Sequence, residues 1–333
     1  MKKWITLCMV GLVSVSLLSG CGSQSSSSNQ KDDAQADQAT KQEVYDNYGS
    51  KVAIDYEPEH VITMGPNATE LFCALGINQK VIGDCLNNHS RGALPKYKEK
   101  YENIPELTHA EPTREAVLGT NVDFIYGIDW AFGSEGIEKK DLDDAKIPTY
   151  INKAQTFNQE YNEIRDLGKI FHVEKKANEI IHNQQTRIKK VEDAVKDDKK
   201  TRVLVYDSGN NGIFTATGHN FENELINAAG GQNIFDDVKN KEWTTVSAEE
   251  AAARNPEVII IHDYDKPSVK QKIKDIEKDP ALAKTDAVKH HRFISIPLEA
   301  VLPGIRMANT VEKFGHAFHP NQVSLTKQEE DQA

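Results

Sequence analysis

The chain has 333 residues, 38% hydrophobic and 27% charged, with a formal net charge of −11. That length exceeds one ordinary domain and suits two. The anionic balance argues against a nucleic-acid partner and against electrostatic docking on anionic lipid.

Lys2 and Lys3 precede an apolar run from Trp4 to Leu18, followed by Ser19, Gly20 and Cys21. A membrane span needs ~20 apolar residues; this run is shorter and reads as a secretion signal. The string Leu18-Ser19-Gly20-Cys21 resembles the lipobox of bacterial lipoproteins, which implies removal of residues 1–20 and acylation of Cys21. The protein is then expected outside the cytoplasm, held to the cell membrane by acyl chains alone. Residues 22–42 carry no large apolar side chain and cannot repay the entropy of folding. We therefore expect residues 21–44 to be a disordered tether, with an r.m.s. reach of roughly 25 Å. Cys8 falls in the signal, leaving Cys73 and Cys85 either as a disulfide, which the compartment permits, or as two buried thiols. No CxxC or paired Cys/His spacing suggests a structural metal site.

An N-terminal lobe is expected over residues 45–155. Val61 to Met64 is an apolar strand, and Asn67, three residues before Glu70, predicts an N-cap with its reciprocal partner for a helix that Gly76 closes. Val81 to Gly83 reads as the next strand, Thr113 to Leu118 as a short helix, and Phe124 to Tyr126 as a buried strand leading into Gly127-Ile128-Asp129-Trp130. Residues 157–197 hold no proline, and Ala177, Ile181, Ile188, Val191 and Val195 recur at helical spacings, which predicts a long helix within a linking segment over residues 156–198. A C-terminal lobe over residues 199–320 then repeats the order, with a flexible tail over 321–333. Arg202 to Tyr206 replays the first strand, and Glu224-Leu225-Ile226-Asn227-Ala228-Ala229-Gly230 echoes Glu70-Leu71-Phe72-Cys73-Ala74-Leu75-Gly76. Glu249 precedes Asn255 by six residues and Asp263 by fourteen, as Glu115 precedes Asn121 and Asp129. Two alignable strings predict two similar α/β lobes.

The lipobox, Pro58-Glu59-His60-Val61-Ile62 leading to Ala68-Thr69-Glu70-Leu71 and Gly76, the helical linker, and the closing Gly304-Ile305-Arg306 and His319-Pro320 together resemble the substrate-binding proteins of iron-siderophore and cobalamin ABC importers. The resemblance covers about residues 45–320 and implies two α/β lobes bridged by one rigid helix, with ligand held in the cleft between them. It implies a monomer that delivers a metal chelate to a permease dimer with its ATPase, and no catalysis. It also implies that Glu115 and Glu249 pair with permease arginines, one from each lobe. A ferric siderophore is the leading ligand expectation, a corrinoid such as cobalamin the second and haem the third.

Ligands of open α/β sheets collect beyond the carboxyl ends of the strands. The loops there bring forward Asn67, Asn88, Arg91, His109 and Trp130 in the first lobe, and Asn211, His219, Trp243 and Tyr264 in the second. Aromatic faces and amides fit a large chelate of mixed polarity, Arg91 suits a ligand carboxylate, and either His109 or His219 is a candidate ligand for the chelated metal. The resemblance puts Trp243 where the cobalamin-binding relatives hold a tryptophan against their ligand. So few cations disfavour a tricatecholate. His262-Asp263-Tyr264-Asp265 and His290-His291 have no HExxH spacing, and no GxSxG elbow or P-loop occurs, which leaves a metallohydrolase without support.

Overall fold

The computed structural model describes residues 42–134, 136–209 and 211–325. Cys21, the signal segment, the tether up to residue 41 and the tail from residue 326 lie outside them. The first elements are β1 (Glu43–Asn47) and β2 (Ser50–Ile54), an antiparallel hairpin that begins two residues inside the stretch expected as tether. Asn47 stitches the hairpin to the rest of the lobe: its side chain donates to the Ile151 carbonyl and accepts from the Ile151 amide, both at 2.8 Å.

The first lobe continues as β3 (Val61–Met64), α1 (Pro66–Leu75), β4 (Val81–Cys85), α2 (Lys98–Glu102), β5 (Glu106–Thr108), α3 (Arg114–Leu118), β6 (Phe124–Ile128), α4 (Lys139–Asp144) and β7 (Thr149–Asn152). These strands form a parallel sheet in the order β5-β4-β3-β6-β7. Two helices follow, α5 (Phe157–Ile170) and α6 (Glu174–Val195). The second lobe comprises β8 (Thr201–Tyr206), β9 (Ile213–Ala216), α7 (Phe221–Ala228), β10 (Gly231–Asn233), β11 (Trp243–Val246), α8 (Ala248–Ala253), β12 (Val258–Asp263), α9 (Val269–Lys278), α10 (Asp286–Lys289), β13 (Phe293–Pro297) and α11 (Met307–Phe318).

Its parallel sheet runs β10-β8-β12-β13, the same order as β4-β3-β6-β7. The internal repeat is thus a repeat of topology. The lobes differ at one edge: β5 extends the first sheet, whereas β11 leaves the second and pairs antiparallel with β9. Strand composition follows from burial on both faces. In β8, Val203 and Val205 face the core shared with the first lobe while Leu204 and Tyr206 face a second core under α9 and α10, and β12 alternates in the same way.

One local expectation is corrected. Asn67 does not cap α1: Gly65 occupies the cap at φ 108°, Pro66 follows, and Asn67 lies within the first turn. Pro66 is preorganised for the first helical position, and a Cβ at residue 65 would stand 3.1 Å from Ile128 Cγ2, so only glycine fits there. The linking segment holds α5 and the long helix α6 expected there, with the chain turning between them at His172, which has φ 53°. Burial wins over propensity at this turn, because Phe171 must turn inward to meet Phe72 and Phe124 edge-on, at 5.3 and 5.6 Å between ring centroids. The returning helices approach closely at Gly168, where a Cβ would lie 2.7 Å from that of Ala177.

Helix α6 is the bridge, packing on α1 of the first lobe and on α7 and α11 of the second. Its buried stripe contains Ala177, Ile181, Ile188, Val191 and Val195, together with Gln184. The Gln184 amide donates to the Ile305 carbonyl and accepts from the Ala308 amide, both at 2.7 Å, so α6 caps the start of α11. Cys73 and Cys85 are free, buried thiols. Burial pushes them up to about 12 and about 11, which makes them unreactive.

Candidate functional site

A recess opens where the carboxyl ends of the two sheets meet. The first lobe contributes Ile128, Asp129 and Trp130 after β6, and Asn152 to Gln155 after β7. The second contributes Asn220 and Phe221 at the start of α7, and Glu242 and Trp243 at the start of β11; Val301, Leu302 and Pro303 complete the lining. Trp130 is 40% exposed. Trp243 stacks on the exposed ring of Phe214 at 5.3 Å and meets His262 edge-on at 5.9 Å.

Beneath Trp243 lies a buried charged network. His262 is fully buried, with Nδ1 2.9 Å from Asp207 and Nε2 3.1 Å from Glu222. Burial pulls its imidazole down, but the two carboxylates outweigh burial and lift it to about 9, so the ring is an imidazolium at neutral pH. Tyr264 donates to Asp207 at 2.6 Å, and Lys272 donates to the carbonyls of Asp207 and His262 at 2.6 and 2.8 Å.

The first lobe holds an acidic counterpart. Asn152 donates to Glu160 at 2.9 Å and to Glu163 at 2.8 Å, while Tyr48 and Tyr126 also donate to Glu163. Burial pushes Glu163 up to about 7, and burial together with Glu163 lifts Glu160 well above the ordinary carboxyl value. This pair holds a proton near neutral pH beneath the recess.

The residues singled out in the sequence fall into three places. Trp130 and Trp243 line the recess, with Asn67 behind them, donating to the Pro303 carbonyl at 2.7 Å and to Asn152 at 3.3 Å. Asn67 is buried and braces the lining without facing the opening. Arg91 and Tyr264 belong to a separate meeting of the lobes. Arg91 is not poised for a ligand carboxylate: its guanidinium donates to Asp263 Oδ1 at 3.0 and 2.8 Å, because the loop after β4 lies against the end of β12. His89 meets the Tyr264 ring at 5.2 Å in the same contact, and Asn88 is held by its amide on the His109 carbonyl. His109, Asn211 and His219 are exposed loop residues outside the lining. His109 bonds to Glu106 at 2.6 Å, and among the described residues no cluster of metal-binding side chains gathers around it or His219.

Phe214, Asn152, Gln155 and Glu242 were missed in the sequence. Only Phe214 left a signal there, as an aromatic alternating with buried neighbours in a short strand. Glu115 and Glu249 each stand second in a short helix, after an N-cap hydroxyl from Thr113 or Ser247 that accepts the amide of Ala116 or Glu250 at 3.2 or 3.0 Å. Both are exposed, and neither has an ion-pair partner among the described residues.

A family model described as periplasmic binding protein matches residues 61–300. The chain is 27% identical over 331 residues to the uncharacterized ABC transporter substrate-binding lipoprotein YvrC of Bacillus subtilis, covering 96% of this chain and 99% of that protein. It is 24% identical over 207 residues to the vitamin B12-binding protein of Yersinia pestis, covering 61% and 69%. A periplasmic binding protein structure from Veillonella parvula superposes with a TM-score of 0.76 at 26% identity, covering 85% of this chain and 99% of that one. Two lobes of one topology, a bridging helix packed on both and a recess between them accompany these matches, and the chain belongs to the periplasmic binding protein family, a substrate-binding and non-enzymatic component of transport.

Proposed function

We propose that this protein captures a metal chelate outside the cytoplasm and passes it to an ABC permease with its ATPase, and that a cobalamin-type corrinoid is the chelate its cleft fits best. The observation that carries this reading is the pair Trp130 and Trp243, presented into one recess from opposite lobes with no arginine in the lining among the described residues. Flat aromatic faces suit a macrocycle with apolar flanks. The likeness to a vitamin B12-binding protein supports the same ligand class. A ferric siderophore, the leading expectation from the sequence, is the second reading; Lys153, Gln155 and Asn220 bring ammonium and amide groups to the lining for chelate oxygens. Haem ranks behind both, since its carboxylates would meet a single cation, Lys153, in the described lining.

Delivery rests on Glu115 and Glu249 as the docking charges of the two lobes, and retention on acylation of Cys21, with the protein acting as a monomer. Among the described residues no helix is long and apolar enough to cross a membrane. Titration of the purified protein with cyanocobalamin, a ferric trihydroxamate and haemin, followed by tryptophan quenching and thermal shift, tests the reading. Corrinoid binding at ~1 μM or tighter is expected. If none of the three binds or stabilises the protein, the proposal fails.

A further inference from the structure

We propose that Asp129 and Glu242, one carboxylate from each lobe, are specificity-determining residues that select chelates bearing N–H donors or positive charge and reject chelates of net negative charge. This inference rests on the proposed function and adds to it the charge class of the ligand and the groups that read it.

Both side chains line the same recess, Asp129 directly beside Trp130 and Glu242 directly beside Trp243. Each aromatic platform therefore carries an acceptor next to it, on facing walls. The only cation in the described lining is Lys153. Three further cations near the lobe junction are committed elsewhere: Arg91 to Asp263, Arg306 to Glu70, and Lys272 to two backbone carbonyls. Glu242 receives one bond, from Gln155 Nε2 at 2.8 Å. Burial, and next the facing charge of Glu242, push the Asp129 carboxyl up, with Lys153 and backbone amides pulling the other way. Carboxylates in such a place gain most from N–H donors supplied by a ligand, through short charge-assisted bonds. A ligand of negative charge would add a third like charge to a partly desolvated cleft, with one lysine to offset it.

The test compares three probes on the intact protein: cyanocobalamin, which is uncharged and rich in amide N–H groups; ferrioxamine B, a cationic ferric trihydroxamate; and a highly anionic ferric tricatecholate. The expected order places the tricatecholate last. Asp129→Asn and Glu242→Gln should each weaken the favoured probe by roughly tenfold or more, and should narrow its advantage over the tricatecholate. Circular dichroism and melting temperature establish that each variant is folded. Should Asp129→Asn fail to fold, the wild-type order and Glu242→Gln, whose amide oxygen keeps the Gln155 bond, decide the matter. Tightest binding of the tricatecholate by the wild type, or an advantage of the favoured probe over the tricatecholate that is unchanged in both variants, overturns this assignment and leaves the proposed function standing. Binding of none of the probes overturns both.

Discussion

Arg306 and Glu70, 236 residues apart in sequence, form a buried two-pronged ion pair, with Nε 2.6 Å from one carboxylate oxygen and a terminal nitrogen 3.0 Å from the other. It ties α1 of the first lobe to the segment that enters α11. Glu70 also accepts the Leu94 amide at 2.6 Å, Arg306 also donates to the Gly92 carbonyl at 2.7 Å, and Glu299 lies 3.6 Å from the guanidinium.

Removing one member strands the other in a low-dielectric interior. Arg306→Met would leave Glu70 and Glu299 buried without their cation, so we expect a loss of about 3–5 kcal/mol of unfolding free energy. Combining it with Glu70→Leu should cost less than the two single changes together, because only Glu299, and no longer Glu70 as well, is then left buried without the cation. Urea titrations of the three variants measure this. A loss under about 1 kcal/mol for Arg306→Met, within the range of an exposed pair, would contradict the account.

The Glu160–Glu163 pair makes stability depend on pH. A carboxyl whose folded value is raised favours the proton more in the native state than in the unfolded chain. Its contribution is therefore full below the unfolded value and is lost as pH rises through the folded value, about 7 for Glu163. Melting temperature should fall as pH rises from about 5 to about 8, and Glu160→Gln should reduce that slope. Burial raises Asp84 to about 6 and acts in the same direction, so the variant isolates the share of the pair. An unchanged slope in the variant would reject it.

His262 acts over a higher window. Its raised value, about 9, means that the stabilisation from Asp207 and Glu222 is complete below the ordinary histidine range and disappears as pH rises through about 9. His262→Gln should lower stability most at neutral and acidic pH and flatten the curve between about 6.5 and 9. It also removes the edge-on partner of Trp243, so a shift in tryptophan emission should accompany the change. The same emission maximum and the same pH curve as wild type would show that the network does not position the indole.

Glu115→Arg and Glu249→Arg should reduce ligand uptake by cells while leaving ligand affinity and melting temperature nearly unchanged. Exposed charges without ion-pair partners matter little to the isolated fold, whereas truncating a desolvated pair at an interface costs roughly 2–5 kcal/mol. Charge reversal should exceed truncation, since under the proposed docking role it would set like charges against cationic partners on the permease. Normal uptake by the double variant rejects the docking role; lost ligand binding would place these residues in recognition.

The two-lobed architecture was legible in the sequence because each lobe is built from local signals. Val61–Met64, Phe124–Ile128, residues 203–206 and residues 258–261 are buried runs made mostly of apolar side chains, as parallel strands buried on both faces must be. Glu115 and Glu249 could be matched to each other because each stands at the same spacing before an Asn and an Asp of its own half, Asn121 and Asp129 or Asn255 and Asp263. The aromatic half of the recess was visible too, since Trp130 and Trp243 stand beside strand ends. The rest depended on neighbours distant in the chain. Asn67 carried the signature of an N-cap, but Gly65 and Pro66 set where the helix begins, and Asn152 and Pro303 decide where its amide points. Arg91 stood in a plausible ligand loop until Asp263, 172 residues away, took its guanidinium. Phe171 ends α5 because it packs edge-on against Phe72 and Phe124, rings from the other side of the lobe that the sequence around it does not name. Local hydrogen bonding and hydrophobic period are written along the chain, whereas the partner of a buried charge or ring is chosen only when folding brings remote segments together and removes their water.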